Sequence, residues 1–235
     1  LFQSLDFHVD LATSGQQALD KMEHYPDLLL LDRTLPDMDG LEVCRIVRED
    51  KRFRGIPIVI LSGRSATEDK IEGLYIGADD YITKPFSPEE LAARVKVALR
   101  RLQFAEQLRE EQELLVSELR SLIQGEAILP FFQPIFDLRT RQPIGAEVLS
   151  RPQLSGPLSN PEFLFKLALS CGMYFDLEML CWRKAFAAWQ HQQGAGKLFL
   201  NCSPYLLECG QFNHTTFQEF SGGPEHIVLE LTERS

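Results

Sequence analysis

A chain of 235 residues is long enough for one large domain or two ordinary ones, and its net charge of −10 argues against a broad nucleic-acid-binding face while suiting sites that hold cations. Hydrophobic residues make up 44% and charged residues 25%, the balance of a soluble globular protein, and no apolar run reaches bilayer-spanning length. Nothing at the N-terminus reads as a signal peptide, and the cysteines (Cys44, Cys171, Cys181, Cys202, Cys209) form no close-spaced metal pair, so they read as reduced thiols of a cytoplasmic protein.

The first hundred residues alternate strand-like runs with helical patterns. His8 to Ala12 reads as a strand, Ser14 to Glu23 as a helix and Leu28 to Leu31 as a buried strand. A helix from Leu41 to about Glu49, a strand from Pro57 to Leu61 and a helix from Thr67 to Tyr75 follow. A short strand from Asp80 to Thr83 and a helix opening at Pro88, with Ser87 as its N-cap, close the pattern. Such alternation predicts an α/β domain with a doubly wound parallel sheet. Three of its strands end in reactive groups: Asp32 after LLLL, Ser62 after IPIVIL, and Lys84 after DYIT. In an open parallel sheet the carboxyl ends of strands share one edge, where ligands bind. A carboxylate nucleophile, a hydroxyl donor and an ammonium converging there suit phosphoryl transfer.

These residues closely resemble the response-regulator receiver family over about residues 1–101. LLLLDRTLPDMDG is similar to its phosphoacceptor loop, ILSGR to its hydroxyl-bearing strand end and GADDYITKPF to its lysine strand. The resemblance implies that Asp32 accepts a phosphoryl group from a sensor histidine kinase, with Mg²⁺ held partly by the Thr34 carbonyl, and that Tyr81 is an aromatic switch that turns inward as Ser62 moves toward the phosphoryl group. Read from the residues alone, Tyr81 is also compatible with a tyrosine packed at a sheet edge. The family's first strand, with its pair of Mg²⁺-holding acids, is expected to lie before Leu1. Asp6 and Asp10 flank the next strand and do not replace that pair, so phosphorylation of the chain as given is expected to be poor.

No glycine or proline interrupts the run from Pro88 to about Gln124, which predicts a helical connector ended by Gly125. Leu108, Gln112, Leu115, Leu119 and Leu122 follow a 4-3-4-3 spacing along one seam. Such a seam can pair with a second copy, giving a homodimer, or lie on its own domain.

Beyond the connector, PIGAE ends at Glu147, KLFLN at Asn201 and HIVLE at Glu230, with helical patterns over about Pro161–Ala168, Asp176–Gln190 and Pro204–Glu208. FFQPIFDL and PIGAEVL are two apolar runs joined by a polar turn at Arg139–Gln142. By itself, Glu147 followed by Arg151 reads equally as an ion pair at a sheet end or as a site. Oxygen-bearing side chains at repeated strand ends favour the site, because (β/α) barrels carry their active sites there and such ligands suit Mg²⁺ or Mn²⁺.

FFQPIFDL, GAEVLSRP, LFLNCSP and IVLELTE resemble, in order, four motifs of the EAL family of cyclic-di-GMP phosphodiesterases, over about residues 127–235. The resemblance implies a TIM-like (β/α) barrel in which Glu147, Asn201 and Glu230 hold the metal. Gln133, Leu149 and Arg151 would contact the dinucleotide, Arg151 through a phosphate, and Glu233 would brace a neighbouring loop. Val148 stands where the signature has alanine, a small apolar change. The family's paired-aspartate loop, lysine and later acidic residues are expected to follow Ser235, so this chain holds about half a barrel.

The sequence therefore reads as a receiver domain (1–101), a helical linker (102–126) and the N-terminal half of an EAL domain (127–235). Phosphorylation at Asp32 would control hydrolysis of cyclic-di-GMP to linear pGpG by the full-length parent, while the chain as given is inactive. The alternative is a catalytically silent EAL domain that senses cyclic-di-GMP or binds a protein partner. A DNA-binding regulator is disfavoured by the charge and the lack of a basic recognition helix, and no membrane partner is expected.

Overall fold

A computed structural model describes residues 2, 7–63, 76–192, 196–208 and 226–231. The chain divides into two compact units, Leu1–Glu110 and Glu111–Ser235.

In the first unit, α1 (Gly15–Lys21) is capped by Ser14, whose side chain accepts the Gln17 N–H, and a short 3-10 turn, Met22–His24, extends it. Then come β1 (Leu29–Asp32), α2 (Gly40–Glu49), β2 (Ile58–Ser62), β3 (Asp80–Thr83) and α3 (Pro88–Gln124). The three strands form a parallel sheet in the order β1-β2-β3, with Asp32 level with Leu61 and Ser62 level with Thr83. Both faces are covered. Leu31, Ile58, Ile60 and Tyr81 pack with Met22, Val43, Cys44 and Val47, while Val59 and Ile82 pack with Leu91, Val95 and Ala98 of α3. Burial on both faces explains why these strands are continuous apolar runs rather than alternating ones. The helix expected over Thr67–Tyr75 lies outside the described residues.

The strand expected at His8–Ala12 does not form. Its alternating pattern suits a strand, but a strand exists only through a neighbour's ladder, and among the described residues none pairs with it. Leu11 is 76% exposed, and Asp10 is held instead by His24 at 3.1 Å and Lys21 at 3.7 Å.

In the second unit, β4 (Ile128–Phe136) and β5 (Pro143–Pro152) form an antiparallel hairpin. Asp137 organises its turn by accepting the N–H groups of Arg139 and Thr140. There follow α4 (Pro161–Ser170), α5 (Tyr174–His191), β6 (Lys197–Cys202), α6 (Pro204–Glu208) and β7 (Ile227–Leu231). The sheet order is β4-β5-β6-β7, with β5, β6 and β7 parallel. Gly145 lets β5 and β6 approach, because a Cβ there would collide with the Lys197 backbone. Phe132, Val148, Leu198, Leu200, Cys202, Ile227 and Leu229 meet α4 and α5 in one core. Strands backed by helices on one face form part of a (β/α) barrel.

α3 runs uninterrupted from Pro88 to Gln124, with Ser87 accepting the Glu90 N–H. Its C-terminus closes with Glu126 N–H to Ile123 C=O and Ala127 N–H to Leu122 C=O. The left-handed residue of this cap is Glu126 (φ 50°), one position after Gly125. Glu126 also pairs with Lys184 at 2.9 Å, which holds its carboxyl below the usual range. The leucine seam is divided: Leu115, Leu119 and Leu122 are taken up in the second unit's own core, whereas Leu108 is 49% exposed. Leu119→Ala is therefore expected to cost about 2–5 kcal/mol and Leu108→Ala less than about 0.5 kcal/mol, as read from urea unfolding.

A second expectation concerns acid. Asp37 accepts the backbone N–H groups of Gln16 at 2.9 Å and Gly15 at 2.7 Å, and these bonds hold its carboxyl below the ordinary value of 3.8. A depressed pKa gives stability that is complete above the unfolded value, about 4, and is lost as pH falls through the folded one. Asp37→Asn should thus be less stable than the parent at pH 6, with the gap closing toward pH 3 in urea melts.

Candidate functional site

Parallel register brings three of the expected phosphoryl-transfer residues to one edge of the first sheet. Asp32 closes β1, Ser62 closes β2, and Lys84 follows β3 directly. The Lys84 ammonium forms an ion pair with Asp32 Oδ2, and the Thr34 N–H donates to Asp32 Oδ1 at 3.1 Å. Asp32 is half-buried, so its carboxylate is both compensated and reachable. Gly40 stands close behind it, where a Cβ would collide with the Asp32 carbonyl oxygen. Ser62 is 1% exposed, so its hydroxyl lies beneath the edge rather than on it. Tyr81 is directed inward into the first unit's core, and among the described residues its hydroxyl finds no hydrogen-bond partner.

The second set is assembled by the two-residue period of strands. Glu147 is level with Phe199, and Asn201 with Glu230. Glu147, Asn201 and Glu230 therefore share the face opposite the helices. The Asn201 amide nitrogen donates to Glu147 Oε1 at 2.9 Å and reaches the Val148 carbonyl at 3.5 Å. Since both partners are acceptors, this network directs the NH₂ toward them and leaves Oδ1 as the amide's available oxygen. Among the described residues no three His, Cys, Asp or Glu side chains cluster. The set is two carboxylates and an amide, all oxygen donors of the kind that hard divalent cations take.

Glu147 does not terminate its strand as expected. β5 continues to Pro152 because β4 keeps pairing with it, and only the parallel ladder to β6 stops at Glu147. The continuation carries Leu149 and Arg151 onto the same face, and Gln133 lies directly across from Glu147. Arg151 is exposed and donates to the Ser150 carbonyl, so it forms no ion pair with Glu147. Glu233 lies outside the described residues.

Two residues that pattern reading passed over stand behind this face. Trp182 donates its indole N–H to the Asn201 carbonyl at 3.1 Å, and the buried Glu178 carboxylate accepts the Ser203 N–H at 3.1 Å. Burial, with the Glu178 charge adding to it, pushes the Cys202 thiol up to about 11. Glu178 carried a sequence signal: it is an acid flanked by Leu177, Met179, Leu180 and Cys181, the same anomaly that marks Glu147. Cys44, Cys171, Cys181 and Cys202 are free thiols, and among the described residues no helix is long and apolar enough to cross a membrane.

Comparison with known proteins identifies a family for each part of the chain. The response regulator receiver domain family matches residues 1–96, and the EAL domain family matches residues 116–235. Response regulator ArlR of Staphylococcus aureus (strain Mu50) is 48% identical over 97 residues, which cover 41% of this chain and 43% of that protein, so the chain spans less than half the length of such relatives. Among solved structures, the receiver domain of Francisella response regulator 1452 is 37% identical, covering 43% of this chain and 82% of its own, with a TM-score of 0.40. The BeF3-activated receiver domain of Klebsiella pneumoniae RstA is 35% identical, covering 42% and 83%, with a TM-score of 0.39. The EAL match takes in just over half of the residues: the chain belongs to the EAL domain family and carries a response regulator receiver domain ahead of its EAL domain.

Proposed function

We propose that the chain is a cytoplasmic two-component response regulator in which phosphoryl transfer to Asp32 controls a cyclic-di-GMP phosphodiesterase. The observation that carries this reading is the shared sheet face on which Asn201 bonds Glu147 and stands level with Glu230. The oxygen donors fit Mg²⁺ or Mn²⁺, with Glu147, Asn201 and Glu230 as the protein's ligands. When bound there, such an ion supplies Lewis acidity toward phosphodiester oxygens and lowers the pKa of its water. Arg151 pairs with a phosphate of the dinucleotide, Gln133 and Leu149 orient its remainder, and Glu233 braces the adjoining loop. Hydrolysis opens one phosphodiester bond to give linear pGpG.

In the receiver domain, a phosphohistidine of the sensor kinase gives up its P–N bond as an Asp32 oxygen forms the new P–O bond. Lys84 balances the added charge, the Ser62 hydroxyl donates to the phosphoryl group, and the inward Tyr81 is the aromatic switch. Mg²⁺ at this edge would take Asp32 and the Thr34 carbonyl as ligands. Pairing of two copies is assigned to the exposed part of α3 around Phe104 and Leu108. Hydrolysis itself belongs to a form of the protein with an entire EAL barrel, and the 235 residues alone are expected to be inactive.

Two outcomes test the reading. A form carrying the entire EAL domain, incubated with cyclic-di-GMP and Mn²⁺, should yield pGpG on chromatography, with Glu147→Ala lowering turnover at least about 100-fold. Binding without turnover would replace the enzyme with a sensor. An acyl-phosphate mimic such as beryllofluoride should change that rate by roughly 5- to 150-fold, and Asp32→Asn should remove the change. An unaltered rate with the receiver demonstrably modified would contradict the control.

A further inference from the structure

The backbone that carries Asn201 leaves one of its ladders early. β6 pairs with β5 only as far as Phe199, while its pairing with β7 continues to Cys202. On the β5 side, therefore, residues 201–203 have no ladder partner among the described residues. A cavity of about 80 Å³, lined by Leu149, Arg151, Glu178, Trp182 and Asn201 among others, adjoins this stretch. Packing on that side is incomplete, so beyond the ladder to β7 polar contacts help to fix where the strand exit sits.

One helix supplies those contacts. Glu178 and Trp182 lie four residues apart on α5, hence on one face, and are 4% and 2% exposed. Trp182 bonds the carbonyl of Asn201, and Glu178 bonds the N–H of Ser203, two residues on. A carboxylate and an indole N–H in an otherwise apolar helix face cost stability unless their polar atoms are used. Leucine and phenylalanine would fill the same space without that cost. The polar tips accordingly serve orientation: they clamp the backbone on either side of Cys202, and the clamped backbone aims the Asn201 amide at Glu147.

We propose that Trp182 and Glu178 are positioning residues for the cation-holding set, acting through Asn201 and touching neither cation nor substrate. This rests on the reading of Glu147, Asn201 and Glu230 as cation ligands. Partners that orient a metal ligand in this way change metal affinity about 10- to 100-fold when removed.

The test is Mn²⁺ binding to the 235-residue chain, followed by the EPR signal of free Mn²⁺ in an Asp32→Asn background so that the receiver edge does not contribute. Circular dichroism melts establish that each variant is folded at the temperature used. Trp182→Phe, which keeps a ring and loses the N–H, and Glu178→Leu, which keeps bulk and loses the acceptor, should each weaken binding about tenfold or more. Glu178→Gln retains an oxygen acceptor and should stay within about twofold, a rescue that a purely space-filling role would not produce. Should Trp182→Phe fail to fold, the contrast between Glu178→Leu and Glu178→Gln decides. If Asn201→Ala and Glu147→Gln weaken binding while Trp182→Phe and Glu178→Leu bind like the parent, the positioning role is overturned and the cation set stands. If Asn201→Ala and Glu147→Gln also bind like the parent, the cation set falls and the positioning role with it.

Discussion

The amide of Asn201 and the carboxylate of Glu147 meet because two parallel strands hold one register, and the second unit is built around that constraint. Side chains alternate along a strand, so a slip of one residue would turn Glu147, Asn201 and Glu230 into the helix-packed core and bring Val148, Leu200 and Leu229 out. Apolar burial sets the register: Leu198, Leu200, Cys202 and Leu229 can be covered only if their neighbours face the other way. The close approach at Gly145 reinforces it, since any larger residue would part the two strands where their ladder begins. Burial on one face thus places polar chemistry on the other.

The first unit reaches a comparable result by a different route. Its strands are covered on both faces, so alternation leaves no face for polar groups, and chemistry is confined to the edge where the strands end. Asp32 and Ser62 are the last residues of β1 and β2, and Lys84 is the first residue after β3, so parallel register alone gathers them at that end of the sheet. The rest of the scaffold is held by local polar contacts. Asp37 binds the start of α1, Asp39 accepts the Leu41 N–H to start α2, and Arg48 joins the Gly77 and Ile56 carbonyls to Asp79. Arg48 is largely buried, which makes this more than a surface ion pair.

Much of this arrangement was legible in the residues, and its gaps have physical causes. The strand at Asp80–Thr83 and the helix from Pro88 to Gln124 follow from unbroken local patterns with clear boundaries. Asp32, Glu147, Asn201 and Glu230 stood out as candidates because an acid or amide closing an apolar run is unusual in itself. The His8–Ala12 run has the composition of a strand, but composition does not provide a pairing partner. β5 outlasts Glu147 because of its hairpin partner, a non-local effect that the motif does not carry. The spacing of Leu108 to Leu122 defines a seam but not what covers it, and three of its leucines are covered within their own unit. Glu178 is marked as an acid in an apolar stretch, but its partner and that of Trp182 lie 25 and 19 residues away, so helical periodicity does not show what either residue holds.

We propose that the Asn201 side of the second sheet is a cation site. It is tested most directly by Mn²⁺ titration of the chain with asparagine side chains labelled with ¹⁵N. The sequence has three asparagines, Asn160, Asn201 and Asn213, so the amide signals are few and assignable. Paramagnetic broadening should remove the Asn201 signals at Mn²⁺ levels that leave those of Asn160, the cap of α4, intact. Asn201 signals that persist, or that fade only together with those of Asn160, would contradict the account.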